Sequence, residues 1–480
     1  MVNRAPHVAV VGGGWAGLAA AVAACQRGWR VTLLEASPHW GGRARRVASR
    51  IGPLDNGQHI LIGAYHATLG LLTTLGVPLD QALQRVPMAL AYPDGGGMRV
   101  PRWTRTLPRP AHAVGLAAGL LGAQGWTWRE RGAALARLVR WQLAGWRCAP
   151  LATVAELCVG LPPRVVADWV EPLAVAALNT PIQQASGAVW LRVLHDALHG
   201  PAPAPYAPSD LLLPRADLGT LLPDAATRWL AERGATLRRR ARVTRLQAIA
   251  AAVSASDHGN ADAPAWRLTV AQGDPVQADA VVLATPAWAS ARLLQALAAD
   301  PGCPPGWEAR WTTWVSRALA LQHAPIATVW LAPPPGWTWR WPTPMLALRH
   351  HPERAPAQFV FARAGATPGA DWRLACVVSA PDPAWHGRAA DLAAAVQRQV
   401  RQALALPDAQ VLATVVEQRA TFACTPGLAR PWTVLGPTLV AAGDHVEGPY
   451  PATLEGAVRS GLHAVEALDA ALTPGFWPRL

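Results

Sequence analysis

The sequence predicts an α/β fold built on a parallel sheet, and the pattern of apolar runs and glycines in residues 7–35 carries this prediction. Residues 7–11 form a short apolar run, residues 12–17 form a glycine-rich turn, and residues 18–27 form a helix of small residues. A second apolar run follows at residues 31–35. Short continuous apolar runs are typical of strands buried on both faces. Because two parallel strands need a crossover between them, this segment is predicted to be a βαβ unit.

Apolar runs and helical patterns continue along the chain, separated by turn residues. Helices are expected near residues 60–76, 219–234 and 452–471. Strands are expected near residues 241–247, 280–284 and 439–442, with a turn at 257–265 and a proline-rich domain crossing at 202–208.

The length of 480 residues exceeds what one ordinary core accommodates, so two interleaved domains are expected. A discontinuous dinucleotide-binding domain is assigned to residues 1–90, 205–290 and 420–480. An inserted α+β substrate domain is assigned to residues 91–204 and 291–419.

Composition excludes several classes of protein. Hydrophobic residues make up 51% and charged residues 15%, which is globular composition. All 43 basic residues are arginine, which rules out a Schiff-base lysine and a phosphate-binding lysine. The net charge of +13 is scattered and accompanies no recognition motif, so no nucleic-acid partner is expected.

Six separated cysteines without a C-x-x-C pair favour free thiols in the cytoplasm over a disulfide framework or a metal site. No signal peptide is expected before the first strand, and no apolar stretch of about 20 residues predicts a membrane span.

The glycine-rich turn is a dinucleotide-binding motif. Gly12, Gly14 and Gly17 have the G-x-G-x-x-G spacing, and Glu35 ends the next strand. The first glycine permits the tight turn, the second lets the backbone approach a pyrophosphate, and the third permits close packing of helix on strand. The helix that follows, with Trp15 and Ala16 at its start, offers free N–H groups to the phosphates. Glu35 is expected to accept hydrogen bonds from the ribose hydroxyls, and Ala36 after it is also assigned to cofactor binding.

A second glycine pair follows the acid, at Gly41 and Gly42, and Arg43 comes directly after it. Binding of NAD does not require this pair. The segment resembles the extended fingerprint of the flavin amine oxidase and phytoene desaturase superfamily. The resemblance implies a Rossmann-like FAD-binding domain of the GR2 type, with FAD as the cofactor and Arg43 facing the flavin.

The third motif lies near the C-terminus, where an apolar run ends at Gly443 and Asp444 and a helix is expected to start around Ala452 and Thr453. In the superfamily this aspartate bonds the ribitol chain and the helix N-terminus points at the flavin pyrimidine. A helix dipole there stabilises negative charge on the reduced ring.

Two strand ends complete the expected cofactor site by the same resemblance. Val243 is expected to contact adenine through its main chain. The loop of Ala284, Thr285 and Pro286 is expected on the flavin side.

Residues 55–61 (DNGQHIL) and 451–461 (PATLEGAVRSG) resemble one branch, the hydroxysqualene dehydroxylases, also called squalene-associated FAD-dependent desaturases. The similarity is specific over roughly the first 75 residues and the last 60. It implies that reduced FAD replaces the allylic hydroxyl of hydroxysqualene with hydride, in bacterial hopanoid or isoprenoid precursor synthesis. Gly57, Gln58 and His59 are then expected beside the flavin.

Loss of an allylic hydroxyl is easier when the oxygen is protonated, so a general acid is expected near the flavin. His59 is the first candidate because histidine can be protonated near neutral pH. Asp55 is the second, and Glu455 is a weaker third. The alternative for His59 is a structural role, bonding the flavin or the backbone.

Other functions share these motifs. A desaturase acting on squalene-derived or carotenoid chains would have the same cofactor site. An amine oxidase is disfavoured because many place a lysine beside the flavin. A non-catalytic flavin-binding or lipid-binding partner is the remaining class. A single dinucleotide fingerprint predicts no NADPH site.

A C30 isoprenoid substrate implies contact with the inner face of the cell membrane and with upstream squalene or presqualene synthases. Residues 111–128 are interpreted as an interfacial helix with Trp126 and Trp128 at the headgroups. Arginines at positions 102, 105 and 109 suit anionic lipids. The alternative is a buried core helix.

Overall fold

The computed structural model describes residues 4–49, 52–106, 112–249, 266–300, 303, 306–363 and 372–472. Its strands are β1 (His7–Val11), β2 (Arg30–Leu34), β3 (Arg46–Val47), β4 (Leu54–Asp55), β5 (Leu61–Ile62), β6 (Leu83–Val86), β7 (Ala89–Ala91), β8 (Gly97–Arg99), β9 (Leu211–Pro214), β10 (Thr236–Arg238), β11 (Val243–Ala248), β12 (Trp266–Val270), β13 (Val276–Ala278), β14 (Ala280–Leu283), β15 (His323–Ala332), β16 (Met345–Ala347), β17 (Phe359–Arg363), β18 (Arg373–Ser379), β19 (Gln410–Phe422), β20 (Val434–Gly436) and β21 (Leu439–Ala441).

The α-helices are α1 (Trp15–Gln26), α2 (His66–Thr74), α3 (Leu79–Ala82), α4 (His112–Leu121), α5 (Trp128–Leu143), α6 (Val154–Leu157), α7 (Pro163–Val165), α8 (Glu171–Leu178), α9 (Gly187–His199), α10 (Leu218–Leu221), α11 (Pro223–Ala231), α12 (Ala287–Ala298), α13 (Glu308–Leu319), α14 (Ala389–Leu404) and α15 (Leu454–Leu472). Short 3-10 turns lie at Arg102–Thr106 and Pro383–Trp385, and a π-helical turn at Val166–Val170 joins α7 to α8.

A six-stranded sheet in the order β10-β2-β1-β14-β21-β20 organises the dinucleotide-binding part, and its strands are parallel except for β20. The predicted α/β fold with a parallel sheet is therefore confirmed. Strand β1 lies near the centre, pairing with β2 on one side and β14 on the other. The small residues of α1 let it pack closely on α15, where a side-chain carbon at Gly461 would come within 2.2 Å of the Ala16 carbonyl oxygen.

All the described strands of this sheet come from the three segments that the sequence assigned to the dinucleotide-binding domain. Strands β1 and β2 come from the first segment, β10 and β14 from the second, and β20 and β21 from the third. The domain boundaries themselves remain our proposal.

A five-stranded antiparallel sheet, β16-β17-β18-β15-β19, organises the inserted part. Successive side chains of a strand point to opposite faces. On β17, Val360 therefore packs in one core with α14, whereas Phe359 and Phe361 point to the opposite face. That opposite face is turned toward α8 and α9 and forms part of the cavity described below.

Two of the expected helices are shorter than the sequence indicated. Residues 60–76 begin with strand β5 before α2, and residues 219–234 are divided into α10 and α11. Pro223 begins α11, which suits a residue without an N–H group at a first helical position. The turn expected at residues 257–265 lies outside the described residues.

The segment 111–128 is not one helix. Helix α4 ends at Leu121 and α5 begins at Trp128. Trp126 lies between them and is buried, with its indole N–H donating to Asp168, so its expected place at the headgroups is wrong. Among the described residues, no helix combines the length and the apolar character needed to cross a membrane.

Candidate functional site

One elongated cavity of about 1060 Å³ runs from the parallel sheet into the inserted part. Every residue that the sequence assigned to cofactor binding lines this cavity, except Gly17. Its volume lies slightly above the roughly 300–1,000 Å³ typical of small-molecule sites. The cavity therefore has room for an extended ligand.

The glycine turn after β1 is fixed by close contacts. A side-chain carbon at Gly12 would lie 2.3 Å from the Ala284 carbonyl oxygen, and one at Gly17 would lie 1.8 Å from the Gly12 carbonyl oxygen. Gly17 thus brings α1 against the turn without lining the cavity. Glu35 accepts hydrogen bonds from the backbone N–H groups of Gly13 at 2.6 Å and Ser37 at 2.7 Å. Because a carboxylate has about four acceptor positions, Glu35 keeps capacity for a ribose.

The second glycine pair packs directly against the first. The Gly41 N–H donates to the Gly13 carbonyl at 2.8 Å. Gly42 has a φ of +63°, and a side-chain carbon there would lie 3.1 Å from the Gly14 Cα. Trp15 closes the arrangement by donating its indole N–H to the Ala44 carbonyl at 2.9 Å. The two glycine motifs therefore form one continuous floor of backbone.

Arg43 links this floor to the C-terminal motif. Its guanidinium bonds the Asp444 carboxylate and donates to the Ala420 carbonyl at 2.8 Å. Burial would raise the pKa of Asp444, but the Arg43 charge and His445 outweigh burial and hold that pKa well below its usual value. Asp444 is therefore ionised.

The N-terminus of α15 opens onto the same cavity. Ala452 has a φ of +57°, and Ala452, Thr453 and Leu454 all line the cavity. The Thr453 hydroxyl accepts from the Gly456 N–H at 2.9 Å and thereby satisfies one free donor of the first turn. The remaining N–H groups and the helix dipole favour negative charge on a bound ligand.

The two expected strand ends also reach the cavity. Val243 begins β11, which belongs to a separate antiparallel sheet with β12 and β13. Ala284, Thr285 and Pro286 follow β14, and the Thr285 and Ser290 hydroxyls lie 2.7 Å apart in a hydrogen bond.

Of the proposed acids, only His59 lines the cavity. Its Nδ1 lies 2.9 Å from the Gly57 carbonyl oxygen. Because a carbonyl oxygen can only accept, Nδ1 carries the hydrogen and Nε2 is the acceptor of the neutral ring. Burial lowers the pKa of His59, so the neutral ring prevails near neutral pH. This state favours the structural alternative, and the acid role remains a prediction.

The structure places the other two candidate acids elsewhere. The Asp55 carboxylate accepts from the Leu218 N–H at 2.7 Å, at the start of α10. The Glu455 carboxylate accepts from the Ala67 and Thr68 N–H groups, at the start of α2. Neither is among the described residues that line the cavity. Each stabilises a helix N-terminus, which is an ordinary role for a buried carboxylate.

Sequence reasoning missed several polar residues of the cavity. Asn56 donates to Glu417 at 2.8 Å, although Glu417 lies on the distant strand β19. Tyr450 donates to Asp196 on α9 at 2.7 Å. His445 is buried with its Nε2 unpartnered. Asn56 and His445 could have been found from their positions beside the predicted motifs. No sequence pattern connects Glu417 to Asn56 or Asp196 to Tyr450.

The inserted part supplies an apolar half of the cavity. Side chains from α8 and α9 face side chains from the antiparallel sheet across it. Among the lining residues are Leu173, Trp190, Val193, Phe359, Phe361 and Val415. This surface fits a long apolar substrate, and the cradle of glycines and helix N-termini fits a dinucleotide.

The donor set also fits FAD in particular. Glu35, the glycine floor, the Arg43–Asp444 pair and the α15 N-terminus line one cavity and together would hold such a dinucleotide, and the helix dipole would stabilise negative charge on an electron-accepting ring. No group of three or more His, Cys, Asp or Glu residues in the described part of the chain could hold a metal ion.

Comparisons with known proteins match this chain to two protein families. Residues 10–75 match the NAD(P)-binding Rossmann-like domain family, and residues 176–469 match the flavin containing amine oxidoreductase family. A hydroxysqualene dehydroxylase of Sinorhizobium fredii is 27% identical over 490 residues, covering 96% of this chain and 97% of that protein. A hydroxyneurosporene desaturase of Rhodobacter capsulatus is 38% identical over 95 residues, which span only 19% of each protein.

Solved structures share the fold at low identity. An oxidoreductase from Methanosarcina mazei superposes with a TM-score of 0.67 and 13% identity, covering 96% of this chain and 100% of that one. A putrescine oxidase variant superposes with a TM-score of 0.62 and 15% identity, covering 96% and 98%.

Proposed function

Because this chain belongs to the flavin containing amine oxidoreductase family and is an FAD-dependent oxidoreductase, we propose that it reduces hydroxysqualene to squalene. The observation that carries this proposal is the apolar half of the cavity, which is continuous with the flavin cradle. The similarity to a hydroxysqualene dehydroxylase over nearly the whole chain supports the same substrate class. The reaction would serve bacterial hopanoid or isoprenoid precursor synthesis.

The two halves of the cavity have different roles, one for the cofactor and one for the substrate. The glycine floor, Glu35 and the Arg43–Asp444 pair hold the dinucleotide. Bound FAD, once reduced, supplies the hydride that replaces the hydroxyl. The apolar side chains of α8, α9 and the antiparallel sheet exclude water, which protects an allylic cation from recapture by solvent. The departing oxygen takes a proton and leaves as water, so the net reaction consumes one hydride and one proton.

A desaturase acting on squalene-derived or carotenoid chains is the second candidate. The match with hydroxyneurosporene desaturase favours it, although that match covers a fifth of each chain. A desaturase would need the same cradle and a similar apolar cavity, because it removes hydride from a polyene. Product analysis separates the two reactions.

The test is single turnover of the FAD-loaded protein without oxygen. The protein is photoreduced, hydroxysqualene is added, flavin absorbance is followed and the lipid is extracted. Reoxidation with formation of squalene is the expected result. If the reduced flavin stays unchanged, while the oxidised protein bleaches with squalene or a related polyene, the desaturase replaces the dehydroxylase. If neither occurs in FAD-loaded protein, a non-catalytic flavin-binding role is favoured.

We also propose that α4 and the start of α5 contact an anionic membrane surface, from which a C30 lipid would enter. Val114 and Leu121 are exposed and seven positions apart, so they lie on one face of α4. Trp128 is 76% exposed at the start of α5. Arg102 nearby is exposed, whereas the Arg105 side chain and Arg109 lie outside the described residues. Contact with upstream squalene or presqualene synthases at the same membrane remains part of this proposal.

A further inference from the structure

A polar cluster at the wall of the cavity joins two distant parts of the chain. The Tyr450 hydroxyl donates to Asp196 Oδ2 at 2.7 Å, across 254 residues of sequence. Asp196 also accepts from Arg192 Nε at 2.6 Å, and its Oδ1 lies 2.7 Å from His195 Nδ1. Both Tyr450 and Asp196 are buried, and both line the cavity.

The charges of the cluster decide which way its hydrogen bonds run. Burial would raise the pKa of Asp196, but the bonds from Arg192, His195 and Tyr450 outweigh burial and lower that pKa. Asp196 is therefore ionised and can only accept. Burial and the bond to this carboxylate raise the pKa of Tyr450 to about 12, so the phenol keeps its hydrogen.

A phenol has one hydrogen to donate, and the Tyr450 hydrogen is directed at Asp196. The Tyr450 oxygen consequently offers no second hydrogen, and because it also interacts with the Arg192 guanidinium, one acceptor position is left for a ligand in the cavity. A ligand meeting this oxygen gains a hydrogen bond only if the ligand itself is a donor. An alcohol meets that condition, and a hydrocarbon does not.

Tyr450 adjoins residues that would hold the flavin. Its backbone carbonyl accepts from the Thr453 hydroxyl at 3.0 Å, next to the N-terminus of α15. Asp196 lies on α9 among Val193, Leu194 and Ala197, which line the apolar half. The cluster therefore stands at the junction of the two halves.

We propose that the Tyr450 oxygen accepts a hydrogen bond from the substrate hydroxyl, and that Asp196 positions Tyr450 for this role. The pair selects allylic alcohols over the corresponding hydrocarbons. A hydrocarbon in the same place leaves that remaining acceptor position of the Tyr450 oxygen without a hydrogen bond, which costs affinity. The identity of the alcohol rests on the proposed function, but the selection of an alcohol does not.

The test is equilibrium binding to the oxidised FAD-loaded protein, in which dehydroxylation cannot proceed. Hydroxysqualene, its methyl ether and squalene are titrated, with flavin absorbance and tryptophan fluorescence as the readouts. Wild type should bind the alcohol about ten-fold more tightly than the ether or the hydrocarbon. Tyr450→Phe should lose this preference while its affinity for squalene stays within about two-fold of wild type. Tyr206→Phe is the matched control, because Tyr206 packs against Arg85 outside the cavity.

Equal weakening of all three ligands by Tyr450→Phe would show that Tyr450 only shapes the cavity. An unchanged preference for the alcohol would show that Tyr450 does not contact the hydroxyl. Either result overturns the proposal. If Tyr450→Phe lost FAD or failed to fold, the wild-type titrations alone would test the proposal. Equal wild-type affinities for hydroxysqualene and its methyl ether would also overturn the proposal. Failure of the reduced enzyme to turn over hydroxysqualene would instead remove the proposed function and leave alcohol binding measurable.

Discussion

Arg43 and Asp444 lie 401 residues apart in sequence and form an ion pair at the cavity wall. The pair joins the glycine floor of the N-terminal βαβ unit to the C-terminal motif that precedes α15. Asp444 is almost fully buried, whereas the Arg43 side chain is 39% exposed. Two segments far apart in the chain thus meet at the site proposed for the cofactor, and the pair fixes their relative position.

Asp444→Asn should weaken FAD binding by roughly 10- to 100-fold, because a hydrogen bond to a charged group contributes about 1.5–3 kcal/mol. The amide keeps the shape of the side chain but leaves Arg43 without its counter-charge. Titration of apoprotein with FAD measures the effect. Asp391→Asn removes an exposed pair with Arg388 and should bind FAD like wild type. Equal FAD affinity in both variants would contradict a role for Asp444 at the cofactor.

Gly17→Ala should destabilise the fold by about 1–3 kcal/mol and lower FAD content. The added carbon would lie 1.8 Å from the Gly12 carbonyl oxygen, so α1 or the glycine turn must move. Gly70→Ala is the matched control, because Gly70 lies within α2 with no atom within 4 Å of the added carbon. That change should stabilise the protein by roughly 0.5–1 kcal/mol. Thermal unfolding of both variants, with and without FAD, measures the difference in their stability. Equal melting temperatures for the two variants would contradict the predicted close contact at Gly17.

Asp55 should make stability depend on pH in an unusual direction. Burial is the main cause that raises its pKa from 3.8 to about 6. The folded state therefore holds the Asp55 proton more tightly than the unfolded chain does. This contribution is fully present below the unfolded pKa and is lost as pH rises through the folded pKa. Stability relative to Asp55→Asn should fall by about 2–3 kcal/mol between pH 4 and pH 7.5. Denaturant unfolding of both proteins measures it, and a difference that does not change with pH would refute this assignment.

His59→Gln separates the two roles considered for His59. If the residue only orients the Gly57 loop, turnover should fall by less than about ten-fold and the pH profile should keep its shape. General acid catalysis contributes typically 10²- to 10⁴-fold, so loss of an acid would reduce turnover far more. The neutral ring and the bond to Gly57 favour the smaller effect. Single-turnover rates of FAD-loaded protein across pH 6–9 are the measurement.

Local patterns predicted the parts of the fold in which neighbouring residues decide the structure. The βαβ unit is encoded within residues 7–35, where apolar runs, glycines and a small-residue helix follow one another. The start of α11 at Pro223 escaped the periodicity argument, because the apolar spacing continues past a proline that lacks an N–H group and restricts the backbone of the preceding Leu222. The periodicity of apolar residues also could not predict the contact between Glu417 and Asn56, or the contact between Asp196 and Tyr450. Those contacts depend on how the antiparallel sheet and α9 pack over the cofactor cradle, which is tertiary information.

The same limit explains the error at Trp126. An uncharged segment predicts burial in either a core or a membrane, and only the tertiary structure separates them. Trp126 turns inward to Asp168, whereas Leu121 and Trp128 remain exposed. The exposed face of α4 with neighbouring arginines is therefore smaller than the segment that the sequence indicated.

The exposed face of α4, together with Trp128, should bind anionic membranes. The double variant Leu121→Ser and Trp128→Ser should reduce co-sedimentation with vesicles of phosphatidylcholine and phosphatidylglycerol by about ten-fold or more. An interfacial segment binds through its buried apolar area together with attraction to anionic lipid. Leu319→Ser is the matched control, because Leu319 is 52% exposed but lies on α13, and its loss should leave vesicle binding unchanged. Binding of wild type should weaken as salt rises, since salt screens the arginine contribution. If wild type does not sediment with these vesicles, or if the double variant sediments like wild type, α4 and α5 do not form the membrane surface.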